Sequence, residues 1–293
     1  MFSSLGTMQS IRYFPTGPET QSFSSFPSSL VCRYDLYYDY GRQTSAGVNV
    51  TTDGLHIYQI LDKSGNGYHM ISKSTEATPA NKLVLNGLGL NKPCVMCDSY
   101  ATNNNPTTTG YSTQSTHPQF TNGFEVICVM RPLATSTIAQ NLLVKYSGAL
   151  SYPYPFAITW LRAVGTGSSQ TTWTAGVNVR QTLSTAVIMG TRFFKSNSIG
   201  YERSNGADVS NSGTLSGYNY TDVSTNPLGL CYRSNNPAQQ VQYEVGEVLM
   251  FNAELTTAQR EQMEGYLASK WGITLASGHT YANINVRYNG TNQ

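Results

Sequence analysis

The chain has 293 residues, of which only 12% are Asp, Glu, Lys or Arg, about half the usual share. Lys and Arg number 18 against 16 acidic residues, so no basic excess exists to track a phosphate backbone, and nucleic acid is excluded as an expected partner. Ser (31), Thr (33) and Asn (23) fill much of the rest, with 20 Tyr, and 39% of residues are apolar; this suits exposed strands and turns around a sizeable core, not a disordered polyelectrolyte.

Residues 1–29 carry Ser, Pro, Gly and Phe without periodicity. Phe2, Phe14, Phe23 and Phe26 mark them as an extended arm that lies against its own domain or a neighbouring subunit. No secretory signal and no bilayer-spanning run is expected. From Leu30 the chain alternates short apolar runs with turn residues. Strands are predicted over 30–38, 55–61, 82–85, 124–131, 141–145, 156–161, 173–179, 186–191, 198–202, 228–232 and 243–251. Ten to fourteen such strands indicate an all-β, two-sheet antiparallel sandwich. Segments 103–110 and 204–225 read as long polar loops.

One helix interrupts this pattern. Thr256 and Gln259 form a capping box, Glu261 and Glu264 lie early and Lys270 late along the dipole, and Gly272 is placed to end it. Met263, Tyr266, Leu267 and Trp271 give it an apolar stripe, so it should pack on the sandwich. The division that follows is an arm (1–29), a sandwich with its helix (30–275) and a tail (276–293).

The five cysteines, Cys32, Cys94, Cys97, Cys128 and Cys231, are odd in number and irregular in spacing. Cys94 and Cys97 form a lone C-x-x-C whose side chains would leave a strand on opposite faces, so buried free thiols are expected.

Three segments, in order, resemble concanavalin A-like, laminin G-type jelly rolls of the kind found in phage and large-virus proteins. The first is 57–69 with its Asp62-Lys63-Ser64-Gly65-Asn66-Gly67 turn, following the strand from Leu30. The second is 86–98, with Lys92-Pro93 and Asp98. The most specific is 246–272, ending Gly265-Tyr266-Leu267-Ala268-Ser269-Lys270-Trp271-Gly272. Ile60-Leu61 and Cys97 stand where that family usually has aromatics. The resemblance implies a two-sheet sandwich that binds glycans or proteins, sometimes through calcium, or serves as a structural part of a virus particle.

A glycoside hydrolase needs two carboxylates on one face, about 5 to 9 Å apart. Glu244 and Glu247 differ by three, so a regular strand sends them to opposite faces. His56, His69, His117 and His279 occur in no nucleophile motif. Asp62 and Asn66, with Ser64, alternate like early calcium ligands, but a tight Asx turn explains them equally. Tyr152, Tyr154, Tyr218 and Tyr220 lie in polar loops and are the candidate sugar platforms. These residues lead to a non-catalytic module without a cofactor. It is expected to serve as a virion (minor capsid, decoration or tail) protein docking to neighbouring subunits through residues 1–29. A lectin-like glycan-binding module or a glycoside hydrolase are the alternatives.

Overall fold

A computed structural model describes residues 19–290, apart from 39–40, 74–80, 99–109, 115, 134–140, 146–155, 160–162, 165–183, 195–198, 215–226 and 232–241. The strands, in chain order, are β1 (Thr20–Phe23), β2 (Leu30–Asp35), β3 (Arg42–Gln43), β4 (Gln59–Ile60), β5 (Met70–Ser72), β6 (Asn81–Gly87), β7 (Lys92–Asp98), β8 (Tyr111–Thr113) and β9 (Gly123–Pro132). Then come β10 (Asn141–Lys145), β11 (Phe156–Thr159), β12 (Ala163–Val164), β13 (Val187–Phe194), β14 (Ile199–Ser204), β15 (Ala207–Thr214), β16 (Leu228–Leu230) and β17 (Gln242–Phe251). Helix α1 (Thr257–Trp271) and β18 (Asn285–Tyr288) close the chain.

These strands make the expected antiparallel sandwich. One sheet runs β12-β11-β10-β16-β8-β5-β4-β3, and the other runs β15-β14-β13-β9-β17-β7-β6, with β2 also paired to β17. On β9, Val126, Cys128 and Met130 enter the core between the sheets, while Ile127 and Val129 enter a second core on the outer face. Both faces are covered, which is why this strand reads as an unbroken apolar run. The second core is closed by α1 through Met263, Leu267 and Trp271.

Helix α1 begins and ends as its sequence requires. Thr256 and Gln259 form the reciprocal capping box, and Gly272 takes the left-handed conformation at φ 73°. Its charges, however, are structural: Glu264 and Lys270 are pulled into ion pairs with the sheet and tail.

Two expected elements differ. Segment 55–61 forms a ladder only at Gln59–Ile60, because it crosses between the sheets: His56 bridges to Lys82 on one, and Gln59 pairs with Gln43 on the other. Part of the expected loop 204–225 is strand β15. It is joined to β14 by Asn205-Gly206, both at positive φ (48° and 80°), the conformation and sequence of a tight hairpin turn. The expected strand 173–179 lies outside the described residues.

The described part of the arm is used within the chain. β1 pairs in parallel with β18, Thr20 opposite Asn285 through Phe23 opposite Tyr288. Phe23 and Phe26 meet Tyr266 of α1 edge-on, with ring centroids 5.5 and 5.7 Å apart. Arm, tail and helix therefore form one aromatic layer over the second core.

All five cysteines are buried free thiols. Cys97 faces the inter-sheet core and Cys94 the helix side, on opposite faces of β7 as the spacing requires. Burial pushes the Cys128 thiol up to about 12, so it stays protonated and inert. No helix among the described residues is long and apolar enough to cross a membrane.

Candidate functional site

Where β2 and β17 run side by side beneath α1, four charged side chains converge. Arg33 and Asp35 leave the outer face of β2, Glu247 leaves β17, and Lys270 descends from the last turn of α1. Lys270 Nζ lies 2.6 Å from both Asp35 Oδ2 and Glu247 Oε2. Arg33 donates from Nη2 to Asp35 (2.9 Å) and from Nε to Glu247 (3.2 Å). The Tyr266 hydroxyl donates to Glu247 Oε1 at 3.0 Å and accepts from Arg33 Nη2 at 3.1 Å; the Trp271 indole N–H also reaches Glu247, at 3.3 Å. The Lys270 ammonium lies 5.1–5.7 Å from the ring centroids of Tyr37, Tyr38, Tyr266 and Trp271.

The two carboxylates part in behaviour. Burial and the neighbouring Glu247 charge push the Asp35 carboxyl up, and Lys270 and Arg33 only partly offset them. Burial also acts to raise Glu247, but Lys270 and Arg33 outweigh it and hold its carboxyl below the ordinary range. Arg33 is desolvated, yet Glu247, Tyr266 and Asp35 keep it firmly protonated. Removing one partner of such a buried pair leaves the other charge uncompensated.

The network depends on a feature that the spacing argument missed. Register between β17 and β9 slips by one at Gly246, so Val245 faces Met130 and Glu247 faces Val129. This bulge overturns the expectation that Glu244 and Glu247 face opposite ways: both point to the helix side. An isolated glycine in a strand pattern was the available signal. Each carboxylate is closed by its own cations; Glu244 accepts from the Leu88 amide and pairs with Arg131 at 2.7 Å.

Above the network lies a cleft of about 340 Å³, bounded by α1, β18 and the segment after β2. Its lining includes Arg33, Tyr38, Lys270, Asn285, Arg287 and Tyr288. Tyr38 (39% exposed) and Arg287 are its exposed members. Arg33, only 4% exposed, lies at 4.7 Å from the Phe26 ring and 5.4 Å from the Tyr288 ring. None of its described hydrogen bonds uses Nη1. A second hollow, of about 550 Å³ beside Ile273, Leu275 and Tyr281, has no charged side chain in its lining.

A second buried cluster ties the tail to the helix. Glu264 accepts from Arg203 Nε (2.7 Å) and from His279 Nε2 (2.9 Å). The Tyr281 amide donates to His279 Nδ1 at 3.1 Å, which fixes the tautomer carrying its proton on Nε2. Burial raises the Glu264 carboxyl, but its bonds to His279 and Arg203 bring it below the ordinary range.

The other expected site residues fare differently. Tyr152, Tyr154, Tyr218 and Tyr220 lie outside the described residues. Asp62 builds the turn: Oδ1 accepts from the Arg33 and Ser64 amides, and Oδ2 from Ser64 Oγ and the Tyr68 amide. Asn66 donates its side-chain amide to the Val31 carbonyl at 2.9 Å. Both act as turn residues, and no cluster of three metal-ligating side chains occurs among the described residues. The remaining histidines serve packing: His69 Nδ1 accepts from the Asp62 amide, His117 meets Thr113 Oγ1, and His56 meets Ser72 Oγ, which also accepts from Asn81.

No family model and no curated protein matches the chain. Among solved structures, it is similar to domain 4 of AbnA, a GH43 extracellular arabinanase from Geobacillus stearothermophilus, in complex with arabinotriose. The TM-score is 0.51 at 12% identity, covering 78% of this chain and 95% of that domain. A Trypanosoma rangeli sialidase in complex with sialic acid matches with TM-score 0.47 at 12% identity over 83% of this chain. The binding domain of Paraclostridial Mosquitocidal Protein 1 matches with TM-score 0.48 at 10% identity over 80%. The chain spans 33% of that sialidase chain and 52% of that binding domain's chain. At these identities the likeness to the arabinanase domain shows a shared β-sandwich fold.

Proposed function

We propose that this chain is a non-catalytic carbohydrate-binding module. The observation that carries the reading is the cleft above Lys270. It combines aromatic side chains that offer a flat apolar face with amide and guanidinium donors, the pairing that saccharide recognition needs. Its volume falls within the roughly 300–1,000 Å³ of small-molecule sites. The arabinanase domain of the same fold, solved with arabinotriose, gives the reading further support. Tyr152, Tyr154, Tyr218 and Tyr220 are proposed as an additional platform.

The hydrolase alternative is less favoured by the described geometry. Asp35 and Glu247 lie close together with one carboxyl raised and one lowered, as an acid–base pair would be, but Lys270 fills the space between them. A structural role in a particle is the second reading, favoured by the 12% charge content, which suits a surface covered by neighbours. It would draw on residues 1–18, since β1 is already paired with β18.

Binding of the full chain to a panel of neutral and acidic oligosaccharides, with product analysis for hydrolysis, tests the proposal. Saturable binding without turnover is expected. Turnover abolished by Glu247→Gln or Glu244→Gln would overturn the non-catalytic reading, and absence of any binding would overturn the module.

A further inference from the structure

We propose that the cleft above Lys270 selects a saccharide unit bearing an anionic group, a carboxylate or a sulfate, with the anion held between Arg33 Nη1 and Arg287. This rests on the carbohydrate-binding reading and narrows its ligand class.

The charge balance of the cleft points this way. Three cations, Arg33, Lys270 and Arg287, stand at it against two carboxylates, Asp35 and Glu247, so it is positive by one even with both acids ionised. The cations are not equally available. Lys270 spends its three N–H groups on Asp35, Glu247 and the Tyr266 hydroxyl. Arg33 spends Nε and Nη2, and its Nη1 makes no described hydrogen bond although the residue is almost wholly buried. That end is left over from the network, so water or a guest in the cleft that Arg33 lines can meet it. Arg33 lines the cleft, and Arg287 is exposed at it, so a guest anion would find one fixed donor and one adjustable donor. Tyr38 and Tyr288 supply rings for the sugar body, and the Asn285 amide a donor or acceptor for a hydroxyl.

The test titrates the full chain calorimetrically with an oligogalacturonate (carboxylate), a heparin-derived oligosaccharide (sulfate), a neutral arabino-oligosaccharide and inorganic sulfate. At least one acidic oligosaccharide should bind about tenfold more tightly than the neutral one, and lose that margin at about 1 M salt, where screening acts over roughly 3 Å. Arg287→Glu should weaken it by about tenfold or more, and Arg287→Lys by less, with an unchanged thermal midpoint because Arg287 is exposed. Which acidic probe binds identifies the anion. Neutral and acidic ligands binding alike, or acidic binding indifferent to Arg287→Glu, overturns the anion site while the carbohydrate-binding reading stands. Inorganic sulfate competing as well as the acidic oligosaccharide overturns saccharide selectivity. No binding of any oligosaccharide removes both.

Discussion

Trp271 of the helix lies directly against Gly246 of the central strand. A Cβ placed on Gly246 would meet three ring carbons of the indole at 2.7–2.9 Å. The glycine therefore does two things at once. Its bulge turns Glu247 toward Lys270, and its missing side chain admits the aromatic ring that closes the second core.

Gly246→Ala should lower stability by about 1–3 kcal/mol, the range for overpacking a filled core. Chemical denaturation of the purified chain measures it. An unchanged midpoint would mean that the helix does not sit on this strand as described.

Asp35→Asn and Glu247→Gln should differ although both remove one carboxylate from the same network. Glu247 is held ionised by Arg33, Lys270 and the Tyr266 and Trp271 donors, so losing its charge should cost about 3–5 kcal/mol near pH 7. Burial and the Glu247 charge act against the charged form of Asp35, and the amide keeps an acceptor for the Tyr37 N–H, so Asp35→Asn should cost clearly less. Equal losses would contradict the assignment of the two carboxylates.

Acid should destabilise the chain through Glu247 and Glu264. Both have folded pKa values below the ordinary 4.5, so each contributes stability above that value that disappears as pH falls through the folded one. Asp35 has the opposite sign: its folded value is raised above 3.8, so its protonation favours the fold as pH drops. Denaturation midpoints should therefore fall below about pH 4.5, and Glu264→Gln should flatten that dependence while lowering the midpoint at pH 7. A Glu264→Gln profile parallel to that of the parent chain would contradict this.

Truncation separates the two halves of the arm. A chain starting at residue 19 keeps β1 and the Phe23–Phe26–Tyr266 cluster and serves as the reference. One starting at residue 30 should lose several kcal/mol, since deleting one buried phenylalanine side chain alone costs about 3–5. Equal midpoints for the two would show that the arm does not pack on its own domain.

Much of this fold was legible in local signals. The capping box and Gly272 set both ends of α1, and alternation placed Cys94 and Cys97 on opposite faces of β7. What escaped was register and distance. Parity arguments on Glu244 and Glu247 assume a regular strand, and one bulge at Gly246 reverses them. The Asn205-Gly206 hairpin was written in the sequence but hidden by the polar residues of β15. The cleft was not legible at all. Its members come from positions 33, 38, 270, 285, 287 and 288, and only the pairing of arm with tail and the seating of α1 bring them together.

The most direct test of the proposed function is amide and side-chain chemical-shift mapping of the full chain titrated with whichever oligosaccharide binds it. The cleft reading predicts saturating shifts at Tyr38, Ser269, Lys270 and residues 285–288, including the Trp271 indole N–H beneath them. Shifts confined to the segments that carry Tyr152, Tyr154, Tyr218 and Tyr220, with the cleft signals unmoved, would contradict it.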